Sequence, residues 1–494
     1  MVGASVFAAS VLACVVYISY KAYLFASYLR KVLKTPGPSL VYLIRNSSQI
    51  ASNGLEQLLH FCWVFNFKAW RITFPRTIFF FSDPDDVAKV LRDRRCDDKS
   101  QWYYGEVEDF WGKSIFTENG DQLKRHREAL SPGFNEQSLQ SYLPTFNEQA
   151  RVFLQSLRRF KAGSEINMLH EFKYSYTKTV MKTTIQAEGE EYGDSHVVST
   201  LLEDLLKYCY LRSFSPIYYY LRHRFHPKYR DDVIFRDVKF GIRYKDLVLK
   251  RKREVERLRH LKNFVPSSVL DHMVVQKTCS KLTDEMLVSE IMAILAASVN
   301  TVPETSALSL ALLALHPSIQ RQVIDEIDSI FGGSSRPATS EDLSRMVHLE
   351  RVIQETMRLF PASPIIFRDV KSDLCVNGVC IPEGCIAAVV IKALHRNPKC
   401  FENPDEFIPD RFLSNNVHGH AYIPFSAGDR SCLGNVYGMI LMKIYLSTFF
   451  RRYRVLPSKH LRSLTDIEVN CDYTIRLPKG ILLQVCPIKE AEDY

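Results

Sequence analysis

The segment Phe425-Ser426-Ala427-Gly428-Asp429-Arg430-Ser431-Cys432-Leu433-Gly434 concentrates more chemistry than any other stretch of the chain. It reads Phe-x-x-Gly-x-Arg-x-Cys-x-Gly, with Phe425, Gly428, Arg430, Cys432 and Gly434 at the fixed positions. A cysteine thiolate is a soft metal ligand, and one placed where a helix begins has its charge stabilised. The glycines let the backbone pass close to a flat macrocycle, and Arg430 offers charge-assisted hydrogen bonds to an anionic substituent on its rim. A single cysteine is more often an inert buried thiol. The ten-residue context, not Cys432 alone, carries the reading.

Two further sets of residues could take part. Glu355-Thr356-Met357-Arg358 places an acid and a base three residues apart on one helix face, where they can pair. Upstream, Asn300-Thr301 sets an amide beside an alcohol, and Glu304-Thr305 repeats an acid–alcohol pair one turn on, with Pro303 between. An alcohol and an amide can orient water, but an amide cannot relay protons by ionising. Glu304 could, so a proton path through Glu304 or water is expected, with a solvent-facing Glu304 as the competing reading. Pro303 frees a carbonyl and kinks its helix.

These residues need long elements to hold them. Thr283-Asp284-Glu285 caps an apolar helix running to about Leu315, where His316-Pro317 stops it. A second helix runs from Pro317 towards Ile330 and ends at Phe331-Gly332-Gly333. A third begins in the capping-box pattern Thr339 to Asp342 and continues to Phe360. Then the period changes. Leu374-Cys375-Val376 and Val379-Cys380-Ile381 flank the hairpin signal Asn377-Gly378, and Ala387 to Val390 reads as a buried strand. The fold class expected is mainly α with small β-sheets (α+β). The expected organisation is a membrane anchor over 1–20, a basic and proline-rich linker over 21–39, and one catalytic domain over 40–494.

In this order and spacing the motifs resemble those of the cytochromes P450, from Pro36 to Ile488. The resemblance implies haem b with Cys432 as the proximal thiolate ligand and a long central helix over the haem. It implies Phe425 and Gly434 beside the cofactor and Arg430, Arg127 and Arg368 on its propionates. It also implies that Glu355 and Arg358 join Arg411 of Pro409-Asp410-Arg411-Phe412, and that Thr301 with Asn300 handles dioxygen and its water. Two departures stand out: Leu123 replaces the usual tryptophan, and Asn300 replaces the usual acid.

Within the family, Arg351 to Arg358, Leu394 to Pro398 and Ala421 to Phe425 look most like arthropod members of the fatty-acid ω-hydroxylase clan, family 4. Ala297 stands where that clan often has a haem-esterifying glutamate, so no covalent link is expected. The pocket implied over the haem runs along Trp102 to Trp111, Ala293 to Thr301, Ala362 to Phe367 and around Tyr473. Its apolar lining points to a lipophilic small molecule such as a fatty acid derivative, a terpenoid or a foreign compound.

Composition sets the surroundings. At 494 residues, 46% apolar and 24% charged, the chain can bury a large core. Its net charge of +9 comes with no recognisable nucleic-acid module, so no nucleic-acid partner is expected, and a basic surface suits an acidic protein or anionic lipid. Val2 to Tyr20 is uncharged, near the ~20 residues a spanning helix needs, and is followed by Lys21, Arg30, Lys31 and Lys34. That implies a single-pass anchor with the bulk of the chain in the cytosol and the sequon Asn46-Ser47-Ser48 unglycosylated, a cleaved signal peptide being the competing reading; the resemblance implies that the membrane is the endoplasmic reticulum. Aromatic and basic residues over Phe214–Tyr220 and Arg222–Arg230 suit a bilayer surface, with ordinary packing and a solvated basic edge as the competing reading.

The 12 cysteines are scattered, as in a reducing compartment, and Cys375, Cys380, Cys385 and Cys400 match no zinc or iron–sulfur spacing, so they read as packed thiols. Gly112-Lys113-Ser114 lacks the earlier glycine of a phosphate loop. NADPH would therefore bind a partner, an NADPH–cytochrome P450 reductase by the resemblance, with cytochrome b5 as a second. The rival readings are a haem-thiolate isomerase or dehydratase acting on a peroxide, and a non-catalytic haem protein that binds a lipophilic ligand.

Overall fold

The computed structural model describes residues 2–73, 76–187, 195–214, 227–261, 263–275, 283–413 and 419–488. They form a helix-rich fold with four small sheets among the described residues. It divides into two compact units, Met1–Ser100 with Ile365–Asn397, and Gln101–Pro364 with Pro398–Tyr494.

The larger unit is built on the helix Asp284–Leu315. Thr283 caps it, its hydroxyl accepting from the Met286 N–H at 3.2 Å, and Asp284 and Glu285 sit in the first turn, where the helix dipole favours acids. The helix runs unbroken through Pro303. It is apolar and long enough to cross a membrane, but 61% of its most apolar window is buried inside the protein, so it is a core helix. Between Ser289 and Ala314 the residues left accessible are Ile294, Ala297, Ser298, Thr301 and Val302. Their spacing at i, i+3, i+4, i+7 and i+8 puts them on one face.

Buried hydroxyls tie neighbouring helices to this one. Tyr176 of helix Met168–Ile185 lies 2.9 Å from the Ser306 hydroxyl. Ser175 and Thr179 meet Tyr445 at 2.8 and 2.7 Å, and Thr183 meets Tyr437 at 2.7 Å, which fixes helix Asn435–Phe450 beside it. The expected second helix is Pro317–Phe331, closed by Gly332 at φ +56°. The expected third helix is two, Ser340–Arg345 and Val347–Leu359. The capping box of Thr339 and Asp342 starts the first. The Glu326 carboxylate of the preceding helix accepts from the His348 and Leu349 N–H groups at 2.6 and 2.9 Å, satisfying a new amino terminus that the sequence pattern did not announce.

The smaller unit holds a four-stranded sheet in the order Trp70–Ile72, Ile78–Phe81, Ile386–Val389, Ile366–Asp369. Ile78–Phe81 and Ile386–Val389 pair in parallel and are wholly buried, as apolar runs without alternation should be. The expected hairpin forms, Leu374–Val376 against Val379–Ile381, with Asn377 and Gly378 both at positive φ as a type I′ turn needs. Its two cysteines are exposed rather than packed, because strand alternation turns Leu374, Val376 and Ile381 inward instead.

A helix over Val2–Leu33 enters this unit, with residues 14–26 exposed. Its end is clamped. The Tyr28 hydroxyl donates to Thr77 Oγ1 at 2.7 Å, Lys31 Nζ lies 2.5 Å from Asp373 Oδ2, and Arg71 Nε donates to the Val32 carbonyl at 3.0 Å. Gly37 then passes so close to strand Trp70–Ile72 that a Cβ would stand 2.0 Å from the Arg71 carbonyl oxygen.

Candidate active site

In the Phe425–Gly434 loop, Ser426 and Gly428 take positive φ, and the Cys432 N–H donates to the Phe425 carbonyl at 2.9 Å, closing the loop on itself. Gly434 is the residue before helix Asn435–Phe450, so Cys432 lies just ahead of a helix amino terminus. A Cβ on Gly434 would stand 4.0 Å from Cys432 Sγ, so the backbone of Gly434 runs alongside the sulfur. Cys432 itself is exposed.

Helix Gly120–Leu130 docks on this loop through the arginines read from sequence. Arg127 donates from Nη1 to the Ser431 carbonyl at 3.0 Å and from Nη2 to Ser431 Oγ at 3.3 Å. Arg430 Nη2 hydrogen-bonds Asn119 Oδ1, at the residue that caps the same helix. Two guanidiniums are thereby tied to the loop that carries Cys432, one at Ser431 and one at the start of helix Gly120–Leu130. Leu123 is buried as an apolar residue of that helix. Arg368 belongs to the smaller unit, on strand Ile366–Asp369, buried, with Nη1 donating to the Phe367 carbonyl at 3.1 Å.

The accessible stripe of the long helix runs beside the Cys432 helix: Val302 Cγ2 would lie 3.8 Å from a Cβ on Gly438. Within the stripe, the Thr301 hydroxyl donates to the Ala297 carbonyl at 2.8 Å, which leaves its oxygen to accept from another donor. Asn300 is buried, and its Oδ1 has no hydrogen-bond partner among the described residues. Glu304 does not face solvent; it is fully buried, with Lys173 Nζ 3.7 Å away. Burial pushes its carboxyl up to about 8, with Lys173 pulling the other way. Lys173 pairs with Glu203, Glu203 with Arg476 at 3.2 Å, and Arg476 with Asp472 at 2.9 Å, so Glu304 ends a chain of charges running outward.

A second buried pair, missed by the sequence reading, joins the long helix to helix Gly120–Leu130. His126 Nδ1 meets Glu290 Oε1, which also accepts from the Ile115 N–H at 2.8 Å. Burial raises the Glu290 carboxyl, with His126 opposing it. A lone acid inside the apolar run from Leu287 to Val299 was the available signal.

Behind the loop, Glu355 and Arg358 are fully buried and pair twice, at 2.7 and 2.9 Å. Arg411 Nε reaches Glu355 at 3.0 Å, and Arg358 donates to the Pro404 and Glu406 carbonyls. The triad locks the meander that precedes the cysteine loop.

In the same unit, the Tyr473 hydroxyl donates to the Tyr103 carbonyl and the Tyr103 hydroxyl to the Asp472 carbonyl, both at 2.8 Å, within an aromatic cluster that includes Tyr104. Of the aromatic and basic run over Phe214–Arg230, residues 215–226 lie outside those described.

An exposed cysteine ahead of a helix, two guanidiniums tied to its loop and an accessible stripe on an otherwise buried helix suit a flat, anionic, iron-bearing macrocycle. They define a haem-thiolate protein. The family model described as Cytochrome P450 matches residues 36–483, and the chain belongs to that family. It is a haem monooxygenase of the cytochrome P450 type.

Its relatives are named as members of family 4. It is 28% identical to "Probable cytochrome P450 4s3" of Drosophila melanogaster over 97% of this chain and 99% of that protein. It is 26% identical to "Cytochrome P450 4c3" of the same species over 93% of this chain and 90% of that one. With "Cytochrome P450 4g15" of Drosophila melanogaster the identity is 38%, over 42% of this chain and 36% of that protein.

Proposed function

We propose that this monooxygenase places one oxygen atom of O2 into a lipophilic small molecule, a fatty acid derivative, a terpenoid or a foreign compound, with electrons from NADPH through a flavoprotein reductase. The observation that carries this is the docking of helix Gly120–Leu130 on the Cys432 loop through Arg127 and Arg430. Haem b, held by the Cys432 thiolate, supplies the redox chemistry, and the thiolate's electron push favours O–O cleavage.

The protein's own residues do the rest. Arg127 and Arg430 offer guanidiniums to propionates. Thr301, its proton committed to Ala297, accepts from a water at the helix face, and Asn300 Oδ1 gives that water a second acceptor. Glu304, protonated near neutral pH, is the residue able to give up a proton, and Lys173 with Glu203 and Arg476 reconnects it to solvent. The Tyr103–Tyr473 clamp presents an aromatic wall to an apolar substrate. Lys124 and Arg125, exposed on the helix that carries Arg127, suit an acidic reductase surface, with cytochrome b5 as a second donor.

The localisation proposed is the endoplasmic reticulum, with Val2 to Tyr20 in the bilayer and Lys21, Arg30, Lys31 and Lys34 on the cytosolic side. The deciding experiment is the spectrum of the reduced carbon monoxide complex, followed by reductase-dependent NADPH oxidation with candidate substrates. Wild type should give the strongly red-shifted thiolate band and Cys432→Ala should not; a wild-type spectrum without that band defeats the reading.

Asn300, standing where an acid is usual, favours one other reading: rearrangement or dehydration of a peroxide without a reductase. Substrate-stimulated NADPH consumption excludes it.

A further inference from the structure

Cys375 and Cys380 lie outside the site described above. They face each other on the strands of the hairpin Leu374–Val376 and Val379–Ile381. With Asn377-Gly378 as a two-residue turn, Val376 and Val379 are the hydrogen-bonded pair that closes it, so the next pair outward is non-hydrogen-bonded. In such a pair facing Cα atoms approach to about 4.5 Å, within the range a disulfide spans.

The sulfurs are 2.8 Å apart. Both thiols are exposed, whereas Cys62, Cys96, Cys209 and Cys385 are buried. They contribute nothing to the core, because Leu374, Val376 and Ile381 supply its inward face. A thiol pair in contact at the surface is placed for chemistry rather than packing.

We propose that Cys375 and Cys380 form a reversible dithiol–disulfide site, oxidised by a low-molecular-weight disulfide of the glutathione class. One protein thiolate attacks the small disulfide, forming a mixed disulfide and releasing one small thiolate. The second protein thiolate then attacks the mixed disulfide at the protein sulfur and releases the other small thiolate. Two protein thiols are oxidised, one S–S bond forms as one breaks, and two small thiols take up the two protons.

The ring closed is short, so the bond constrains the unfolded chain less than a longer loop would, and in a reducing compartment such bonds are transient. The pair also sits at a joint. Asp373, the residue before this hairpin strand, holds Lys31 at the end of the amino-terminal helix and accepts from the Glu383 N–H at 2.9 Å. Oxidation would staple the strand that seats that helix.

The test uses the full-length haem-loaded protein in detergent, incubated in buffers of graded glutathione and glutathione disulfide, quenched with a maleimide, digested and weighed. The peptide carrying both cysteines should lose two hydrogens, resist alkylation, and recover both thiols on treatment with dithiothreitol. Cys375→Ser and Cys380→Ser, surface changes that leave the core intact, should each stop at a glutathione adduct on the remaining thiol. If the wild-type peptide also stops at the adduct, or both thiols stay alkylatable at the most oxidising ratio, the proposal fails.

Discussion

Glu304 is a carboxyl placed where ionising costs the fold. Its ordinary value is 4.5, and burial raises it to about 8. Between those two values the folded protein keeps a proton that the unfolded chain has released. Stability therefore falls as pH rises through that window and levels off above it. Glu304→Gln should flatten this part of a melting temperature–pH curve of the holoprotein; an unaltered slope would mean the penalty arises elsewhere. In turnover, the same variant should release peroxide at the expense of product, and unchanged coupling would remove Glu304 from the proton path. Arg127→Ala tests the other side of the site. A charge-assisted hydrogen bond is worth about 1.5–3 kcal/mol, so haem transfer to apomyoglobin should run roughly 10- to 100-fold faster. The loop of Cys432 and Arg430 was legible in the sequence because a motif of fixed local spacing carries both, and Arg127, which the structure ties to that loop, was legible only through the family resemblance of Leu123 to Arg127. Lys173, Glu203 and Arg476 were not, since their pairing with Glu304 joins four separate segments and leaves no period in the chain.

The Glu355–Arg358 pair acts as part of an element, not as two residues. Removing its carboxylate leaves a fully buried guanidinium and the Arg411 head without their acid. Glu355→Ala should cost about 3–5 kcal/mol in chemical denaturation, whereas Lys31→Ala, at an exposed pair, should cost about 1 kcal/mol or less. Loss of less than 1 kcal/mol in Glu355→Ala would mean that the triad is not structural. At this scale local signals did well: the Thr283 cap, the Thr339–Asp342 box and the Asn377-Gly378 turn all form as their residue types require. The break at Met346 was invisible, because its cap, Glu326, comes from a neighbouring helix. Cross-strand contact of Cys375 with Cys380 followed from the turn, but which face the pair would take did not. Strand alternation fixes which residues lie together, and only packing decides which side turns inward.

At the scale of the whole molecule, the helix Val2–Leu33 is as much part of the smaller unit as its sheet is, held by Tyr28, Lys31 and the Arg71–Val32 bond. Deleting residues 2–20 should release the protein from sedimenting vesicles while leaving the reduced carbon monoxide spectrum intact; retention on vesicles would assign binding to other surfaces. Under the proposed membrane placement, a helix continuous over Val2–Leu33 would also transmit angle. Each residue added between Lys21 and Phe25 would turn the unit about its own anchor by about 100° and lift it about 1.5 Å. Oxidation of a substrate dissolved in the bilayer should therefore rise and fall with the helical period across a series of one to four inserted alanines. A slack tether would give a flat response. A periodic response would make azimuth towards the membrane an inherited setting of this chain, written into the phase of one helix.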